Sequence, residues 1–397
     1  MPMNEQEAQE RKKATFFWMT VGFLVIALIV FLLWLVYFRF EESTDDSYVG
    51  GNQVVITPQI PGYVSAIYAD DHDMVEKGQI LIELDPIDAT VAFDAAKDNL
   101  AAVTRNVVQL FQKVGSLKAE RQQRKAEMVR RGQDYTHRKR LIDSGSVSLE
   151  DLEHAEAAFI SAFAGVLMVE YQLREALAEV ENTTVDTHPL VESAKEEVKK
   201  TWVNLKRCTI LSPVRGQVAR RAAQVGQAFN PQDPLMIVVP FDQMWVDANF
   251  KEVQLKKMRL GQSVVMKSDT YGRSAIYHGK VIGISAGTGS VFSVLPPQNA
   301  TGNWIKIVQR LPVRVSLDPE EIKKHPLRLG LSMDVKVNLH DVSGEMVPAP
   351  IPEKPIYETD IFHTQLDGVD TLIQDILYMN SRFSFTKDKQ EENGDDD

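Results

Sequence analysis

The clearest feature of the polarity pattern is an uninterrupted apolar run near the N-terminus. Residues 16–38 read FFWMTVGFLVIALIVFLLWLVYF, which is 23 positions without one charged side chain. At about 1.5 Å per residue, a helix of this length spans roughly 34 Å, enough to cross the hydrocarbon core of a bilayer. The run ends in RFEE (39–42) and not in a small-residue cleavage site. The pattern therefore predicts a retained transmembrane helix, not a signal peptide or a buried core helix.

Basic residues flank this run unevenly. Arg11, Lys12 and Lys13 precede it, whereas Arg39 is the only base among the residues that follow up to position 76. Because positive charge accumulates on the cytoplasmic side of a membrane helix, we expect residues 1–15 in the cytoplasm and the chain after residue 40 outside it.

Beyond the apolar run the pattern changes from strand to helix and back. Residues 54–86 alternate apolar and polar positions between glycines and prolines, which is typical of short strands and turns. Residues 88–207 contain few glycines and a single proline, so helix is expected there. From residue 217 to 339, glycine and β-branched residues return and indicate β structure.

The last part of the chain holds three further signals. The stretch VPAPIPEKP (347–355) is a proline-rich linker, and KDKQEENGDDD (387–397) is an acidic tail that we expect to be disordered. Between them, residues 361–379 are compatible with one amphipathic helix. Its apolar face would consist of Phe362, Leu366, Val369, Ile373 and Ile376.

Heptad spacing runs through both ends of the helical section. In the descending arm, spacings of three and four select Leu152, Ala155, Phe159, Ala162, Val166, Val169, Leu173, Ala176 and Val180. In the ascending arm they select Phe93, Ala96, Leu100, Val103, Val107, Leu110, Val114 and Leu117. Two such seams separated by the turn DSGSVS (143–148) predict an antiparallel coiled-coil hairpin with arms of about 80 Å. The proline of NTTVDTHP (182–189) interrupts the descending arm only locally, because the seam resumes at Val191.

The two arms carry opposite charge near the turn. Residues 118–140 hold nine Lys or Arg against three acids, and residues 149–181 hold eight acids against one Arg. One interpretation is mutual neutralisation inside the hairpin, with arginine stems lying over the seam. The other is that part of this charge faces a neighbouring subunit.

The two β segments that flank the helical section repeat each other. At a constant offset of 154 residues, apolar and glycine positions coincide without a gap, which implies two similar halves about a pseudo-twofold axis. The coincident pairs are Ile56 and Ile210, Ile60 and Val214, Gly62 and Gly216, Val64 and Val218, Leu81 and Leu235, and Leu84 and Val238.

The stretch DMVEKGQILIELD (73–85) resembles the second hairpin of lipoyl and biotinyl carrier domains. Those domains carry a modified lysine just after this point, whereas no lysine occurs between Lys77 and Lys97 in this chain. The chain is thus expected to keep the carrier fold as a scaffold and to bind no covalent cofactor.

The chain thus combines a membrane anchor, a split lipoyl-like domain, a helical hairpin within the turn of that domain, and a following β domain. This combination resembles the membrane-fusion proteins, or periplasmic adaptors, of the HlyD superfamily. Four stretches are similar to the EmrA-type adaptors of that superfamily. They are TDDSYVGG (44–51), PLMIVVPFDQMWVDANFKE (234–252), GTGSVFSVLPPQNATGNWIKIVQRLPVRVSLD (287–318) and HPLRLGLSM (325–333). The resemblance covers about residues 16–340.

This resemblance implies an α+β multidomain fold with a single N-terminal transmembrane helix, an antiparallel coiled-coil hairpin, a split lipoyl-like (biotinyl-lipoyl) β domain and a β-barrel domain. The expected divisions are a cytoplasmic N-terminus (1–15), the transmembrane helix (16–38), a periplasmic stem leading into the β-barrel (39–53), the first lipoyl-like half (54–86), the hairpin (87–207, tip 143–148), the second lipoyl-like half (208–240), the β-barrel domain (241–340) and a linker, helix and acidic tail (341–397).

Adaptors of this superfamily often carry an Arg, a Leu and a Ser around the hairpin turn, where they meet a TolC-like outer-membrane channel. Leu141 and Ser148 stand in matching positions, but His137 occupies the Arg position, with Arg138 beside it. With Val147, these residues form the expected channel-docking tip. The alternative for Leu141 and Ser148 is an ordinary helix end followed by an N-cap, because SLED (148–151) is a capping pattern.

Composition and the lack of catalytic motifs argue against several other classes of function. A net charge of −11 argues against general nucleic-acid binding. The single cysteine, Cys208, excludes an internal disulfide and is expected to be a small core residue. The histidines form no HExxH pattern and no Ser-His-Asp set can be assembled, so we expect neither an enzyme nor a cofactor or metal site.

The resemblance implies a single-pass inner-membrane protein of a Gram-negative bacterium, with its bulk in the periplasm. The expected function is the adaptor of a tripartite multidrug efflux pump that links a major-facilitator exporter to a TolC-like channel and self-associates into a ring or funnel. Three alternatives stay open: an adaptor of a type I (ATP-binding-cassette) secretion system, a carrier subunit of an enzyme, and a membrane-tethered structural coiled coil.

Overall fold

A computed structural model describes residues 5–36, 40–289, 291, 308–347 and 353–382. The helices, in chain order, are α1 (Glu5–Val36), α2 (Ile87–Leu141), α3 (Leu149–Val180), α4 (Pro189–Arg207), α5 (Pro319–Lys324) and α6 (Val369–Ser381). The strands are β1 (Glu41–Thr44), β2 (Ser47–Gly51), β3 (Val54–Ile56), β4 (Gly62–Ile67), β5 (Met74–Val75), β6 (Ile80–Leu84), β7 (Thr209–Leu211), β8 (Gly216–Arg221), β9 (Ala228–Phe229), β10 (Met236–Val239), β11 (Met244–Lys251), β12 (Ser263–Ser268), β13 (Ile276–Ile284), β14 (Arg310–Ser316) and β15 (Met333–Asn338).

Helix α1 contains the apolar run. From Thr15 to Leu32 every residue is exposed except the half-buried Val21, and Phe16 and Phe23 are each 74% exposed. An apolar segment of this length with no protein packed around it satisfies the length and composition of a membrane span. The apolar surface of this segment is thus not buried against the described part of the chain.

The lipoyl-like domain consists of two four-stranded sheets built from both halves of the sequence repeat. The strand orders are β3-β10-β8-β5 and β7-β6-β4-β9. Replacing β3, β10, β8 and β5 by their counterparts 154 residues away converts the first sheet into the second. Counterpart side chains are equally buried: Val64 and Val218 are 2% and 0% exposed, and Leu81 and Leu235 are both 0% exposed. Cys208 lies in this core, as expected, and burial raises the pKa of its thiol.

The β-barrel domain is a seven-stranded antiparallel sheet with the order β1-β15-β12-β13-β14-β11-β2. Its edge strands come from residues before the lipoyl-like domain, within the segment 39–53 that was predicted to be a stem leading into the barrel. Strand β1 pairs with β15, β2 pairs with β11, and a bridge from Tyr48 to Ser332 links β2 to the residue that precedes β15. Because edge strand β2 reaches the opposite end of the sheet in this way, the sheet curls around a core that includes Phe250, Met266 and Tyr277.

The hairpin consists of α2 packed against α3 and, nearer the β domains, against α4. All predicted seam positions in both arms are buried or half-buried, and Leu100, Val107 and Val169 are 0% exposed. This pattern confirms the predicted antiparallel coiled coil, in which three-and-four spacing keeps one apolar stripe toward the partner helix.

Side-chain contacts stabilise the segment between α3 and α4, where the descending arm is interrupted. Helix α3 ends at Val180, and His188 caps the N-terminus of α4 by accepting from the Leu190 N–H at 3.3 Å. The ammonium of Lys195, largely buried, donates to the Asp186 carbonyl at 2.7 Å and pairs with the Glu192 carboxylate at 3.1 Å. Burial works against the charged form of Lys195, but the hydrogen bonds to Asp186 and Glu192 outweigh it and raise its pKa.

Mutual neutralisation between the arms, the first of the two interpretations of their charge, is limited in extent. Only two ion pairs cross between the arms in the described chain, Lys125–Glu170 at 3.3 Å and Arg138–Asp151 at 4.0 Å. The other ion pairs within 118–140 lie along α2 itself, such as those of Arg130 and Arg131 with acids of their own helix. Pairs three or four residues apart on one helix form easily, because they share a face.

The segment after the β-barrel returns to the root of the hairpin. Helix α6 buries Val369, Ile373 and Leu377 in the cluster formed by α2 and α4. The predicted amphipathic helix is therefore present but shorter, since it begins at Val369. Phe362 and Leu366, expected on its apolar face, precede it and are 49% and 52% exposed. The acidic tail (387–397) lies outside the described residues.

Candidate functional site

The tip of the hairpin is built from a short 3₁₀ turn and a left-handed glycine. Helix α2 ends at Leu141, and residues Ile142–Ser144 continue as one 3₁₀ turn. Gly145 then adopts φ of 71°, a left-handed conformation in which glycine avoids the steric cost of a side chain. The Ser144 hydroxyl donates to the Leu141 carbonyl at 2.7 Å, which satisfies one of the last carbonyls of α2.

Ser148 begins the second arm as an N-cap. Its hydroxyl oxygen accepts from the backbone N–H of Asp151 at 3.0 Å, and its O–H donates to the Asp151 carboxylate at 2.6 Å. This is the capping arrangement that the SLED pattern suggested. The hydrogen bond from Ser148, followed by the charge of Arg138, holds the pKa of Asp151 below its ordinary value.

Arg138 ties the two arms together below the turn. Its Nε donates to Asp134 at 3.2 Å within α2, and its Nη1 donates to the Asp151 carbonyl at 3.3 Å across the tip. The guanidinium has five N–H donors, so these contacts leave donors available for another protein. His137, the neighbouring residue, is exposed about 100° around α2 from Arg138.

The structure brings three of the five predicted tip residues to the very end of the hairpin. Leu141 is 47% exposed there, Val147 is half-buried, and Ser148 is exposed beside them. His137 and Arg138 lie about one turn lower. Leu149 was not among the predicted tip residues, yet it is 66% exposed at the first position of α3 and adds a second exposed leucine to the tip. In the sequence, the signal for this position was a leucine between a capping serine and an acidic residue.

A second feature lies just below the tip, at Phe159 of the predicted seam. The rings of Tyr135 and Phe159 stack across the arms with centroids 6.3 Å apart. A Cβ on Gly132 would approach the Phe159 ring to 3.1 Å, so glycine makes room for the ring. The helical glycine costs about 1 kcal/mol relative to alanine, which the aromatic packing offsets. This contact stiffens the last part of an otherwise polar arm.

No catalytic arrangement accompanies the tip. Within the described ranges, no three His, Cys, Asp or Glu side chains lie close enough to hold a metal ion. The tip offers an apolar side chain at Leu141, a capped helix start at Ser148 and the guanidinium of Arg138.

Comparison with known proteins identifies the family. The family model for the EMRA alpha-helical hairpin domain matches residues 87–208. The multidrug export protein EmrA of Escherichia coli K12 is 41% identical over 355 residues, which cover 89% of this chain and 91% of that protein. This chain belongs to the EmrA family of membrane-fusion adaptors.

Other relatives show how far the EmrA family extends. The fatty acid resistance protein FarA of Neisseria gonorrhoeae is 41% identical over 84% of both chains. A solved structure of a periplasmic adaptor protein EmrA aligns with 76% of this chain and 99% of its own, at 19% identity and a TM-score of 0.39. The names of the EmrA relatives speak of export or resistance, and they differ in the compounds concerned.

Proposed function

We propose that this EmrA-family protein is the periplasmic adaptor of a tripartite multidrug efflux pump. It would link a major-facilitator exporter in the inner membrane to a TolC-like channel in the outer membrane. The observation that carries the proposal is the 41% identity to a multidrug export protein over nearly the full length of both chains. The long hairpin and the unburied N-terminal helix supply the two ends that such a link requires.

The proposed topology is a single pass with the N-terminus in the cytoplasm. The bases at 11–13 lie on one side of the apolar run and the acidic residues 41–46 on the other. Helix α1 would then hold the β-barrel domain close to the membrane, because β1 starts only five residues after the last residue of α1. The hairpin would project about 80 Å from the β domains into the periplasm.

The proposed work of the protein is mechanical. The adaptor would align exporter and channel and enclose the path between them in a ring or funnel of copies, while the exporter supplies energy. In this arrangement Leu141, Val147 and Ser148 would meet the channel, with His137 and Arg138 contributing polar contacts from the turn below. The apolar area of Leu141 and Leu149 supports this role, because it serves no core at the end of the hairpin.

The test is crosslinked co-purification of the full chain from its native membrane, followed by mass spectrometry. We expect a major-facilitator exporter and an outer-membrane channel among the captured proteins, and increased drug susceptibility when the gene is deleted. Capture of an ATP-binding-cassette exporter instead would favour the type I secretion alternative. Absence of any exporter would contradict the proposal.

A further inference from the structure

A cavity of about 400 Å³ lies where three parts of the chain meet at the root of the hairpin. Its walls include strands β3 and β7 of the lipoyl-like domain, the last residues of α4, and residues 361–365 of the segment that precedes α6. This volume falls within the range of roughly 300–1,000 Å³ that is usual for small-molecule sites. None of the predicted tip residues lines this junction cavity, so it is separate from the site described above.

Apolar side chains form part of the wall of the junction cavity. Ile210 and Ile361 are each 8% exposed, whereas Val55 and Phe362 are 50% and 49% exposed. Phe362 was expected on the buried face of the C-terminal helix, and it instead presents its ring at this cavity. A ligand with an apolar body would cover the exposed parts of Val55 and Phe362, which is favourable because it removes apolar surface from water.

The junction cavity also holds two cations and, among the described residues that line it, no acid. Arg207 is half-buried at the end of α4, and its Nε is buried without a hydrogen-bond partner in the described chain. Lys206 lies over the Trp202 ring, with Nζ 4.9 Å from the ring centroid. Neither cation forms an ion pair within the described ranges, and an acid next to the wall, Asp360, pairs with Lys77 at 2.9 Å.

These side chains favour an anionic ligand. A buried guanidinium donor without an acceptor is unfavourable, and an anion that enters the cavity supplies the acceptor. A carboxylate suits Arg207 because its two oxygens can accept parallel N–H bonds from one guanidinium. Thr57, Gln59 and Thr209 line the same cavity and form no side-chain hydrogen bond with another described residue, so they have donors available for the same anion.

We propose that the junction cavity binds an amphipathic anion, a small molecule that carries one carboxylate on an apolar body. The carboxylate pairs with Arg207, and the body packs against Phe362 and Val55. Because residues 361–365 form one wall, the bound ligand also stabilises the contact of the C-terminal segment with β3 and α4. The inference goes beyond the proposed function, since this site needs neither an exporter nor a channel.

Isothermal titration of the full chain in lipid nanodiscs tests the class of ligand, with empty nanodiscs as the blank. We expect 2-naphthoate to bind about 10-fold or more tightly than 2-naphthylmethylammonium, which has the same ring and the opposite charge. Inorganic phosphate should also bind about 10-fold or more weakly than 2-naphthoate, because it has no apolar body. Equal affinity for the cation would indicate a merely apolar cleft, and equal affinity for phosphate a simple anion site. Either result overturns the proposal.

Substitution of Arg207 tests the polar half of the site. Arg207→Gln should weaken binding of 2-naphthoate about 10-fold or more, whereas Arg207→Lys should have an intermediate effect because it keeps the charge and loses the planar fork. The matched control is Lys200→Gln, since Lys200 lies on the same helix outside the cavity with its side chain 67% exposed. This control should bind as the native protein does. Unchanged affinity of Arg207→Gln would exclude the guanidinium from the site.

Substitution of Phe362 tests the apolar half and does not depend on how Arg207 variants fold. Phe362→Ala should weaken binding of 2-naphthoate about 5-fold or more and leave binding of phosphate unchanged. Leu366→Ala is the control, because Leu366 is 52% exposed in the same segment but does not line the cavity. Hydrogen exchange at residues 361–365 should slow when 2-naphthoate binds. Unchanged exchange, or equal affinity of both variants, would place the ligand elsewhere and overturn the proposal.

Two sources share this chemistry, a compound on its way out of the cell and a resident metabolite. Native mass spectrometry of the protein purified from its own membrane separates them. A resident anion is retained by the native protein and absent from Arg207→Gln, whereas a transported compound leaves resistance to amphipathic acids, but not to amphipathic cations, lowered in Arg207→Gln. Absence of both effects would contradict a functional ligand. Co-purification of the exporter, which tests the proposed function, should be the same for Arg207→Gln and the native protein.

Discussion

Leu141 and Ser148 differ in what they contribute to the tip. Leu141 is 47% exposed at the end of α2, so its substitution should affect folding far less than substitution of a buried seam residue. We expect Leu141→Asp to abolish drug resistance while expression, membrane insertion and exporter binding stay normal. The measurement is drug susceptibility with crosslinking to each partner, and Val91→Asp, 63% exposed at the root of the same helix, is the control. Full resistance of Leu141→Asp would exclude this side chain from docking.

Ser148 caps helix α3, so its substitutions can change helix stability as well as docking. Loss of the N-cap in Ser148→Ala should cost about 1 kcal/mol of helix stability at neutral pH, whereas Ser148→Asp retains a capping oxygen. Ser148→Arg removes the cap and adds bulk, so a defect of that variant alone does not identify docking. A docking role requires that Ser148→Asp, which folds normally, also loses resistance.

The Ser148–Asp151 contact makes a pH prediction. The folded pKa of Asp151 is lowered, so the ionised carboxylate stabilises the tip above the unfolded pKa of about 3.9, and this contribution is lost as pH falls through the folded pKa. NMR titration of Asp151 should therefore give a pKa below that value, and Ser148→Ala should move it upward. A pKa unchanged by Ser148→Ala would show that the hydrogen bond does not hold the carboxylate.

Helix α6 acts as a brace between the lipoyl-like domain and the hairpin root. Before the helix, Asp360 pairs with Lys77 at 2.9 Å and the Thr359 hydroxyl donates to the Pro213 carbonyl at 3.0 Å. Closer to the helix, the Trp202 indole donates to the Gln365 carbonyl at 3.0 Å. Residues 359–365 therefore contact the lipoyl-like domain and α4, and α6 packs on α2 and α4, so this segment links the lipoyl-like domain to the root of the hairpin.

The brace gives a stability prediction. Ile373 is 2% exposed, so Ile373→Ala should lower the free energy of unfolding by about 2–5 kcal/mol in denaturant titrations. Met379→Ala, on the exposed face of the same helix, should change it by about 0.5 kcal/mol or less. Hydrogen exchange in the Ile373 variant should rise at the roots of α2 and α4. Exchange unchanged at both roots would show that α6 does not stabilise the hairpin.

The arrangement of the domains along the membrane normal also gives a prediction. A single span followed by the β-barrel domain requires everything after residue 40 to share one side of the membrane. An alkaline-phosphatase reporter fused after residue 382 should therefore be active, as should one fused after residue 340. Activity of a cytoplasmic reporter at either position, or opposite results at the two, would contradict a single pass. Two fusion points control for a folding defect at one of them.

Local periodicity was sufficient for the features that depend on one segment at a time. The apolar run, the hairpin seams and the capping serine were all predicted, because helix geometry converts spacing directly into a face or an end. The pseudo-twofold repeat of the lipoyl-like domain was also predicted from the constant offset, since equivalent buried positions require equivalent side chains. The fold class, which the resemblance to membrane-fusion proteins implied, is confirmed.

The partners of each surface were decided only by the tertiary structure. The spacing of apolar residues indicates that the helix containing Ile373 has one apolar face, but it does not show that α2 and α4 cover this face. In the same way, the acidic residues 41–44 read as a stem, and only pairing with β15 makes them a strand of the barrel. Charge composition suggested neutralisation between the arms, whereas side-chain reach joined most arginines to acids of their own helix. Sequence determines which faces must be buried or paired, and the three-dimensional path of the chain determines what buries them.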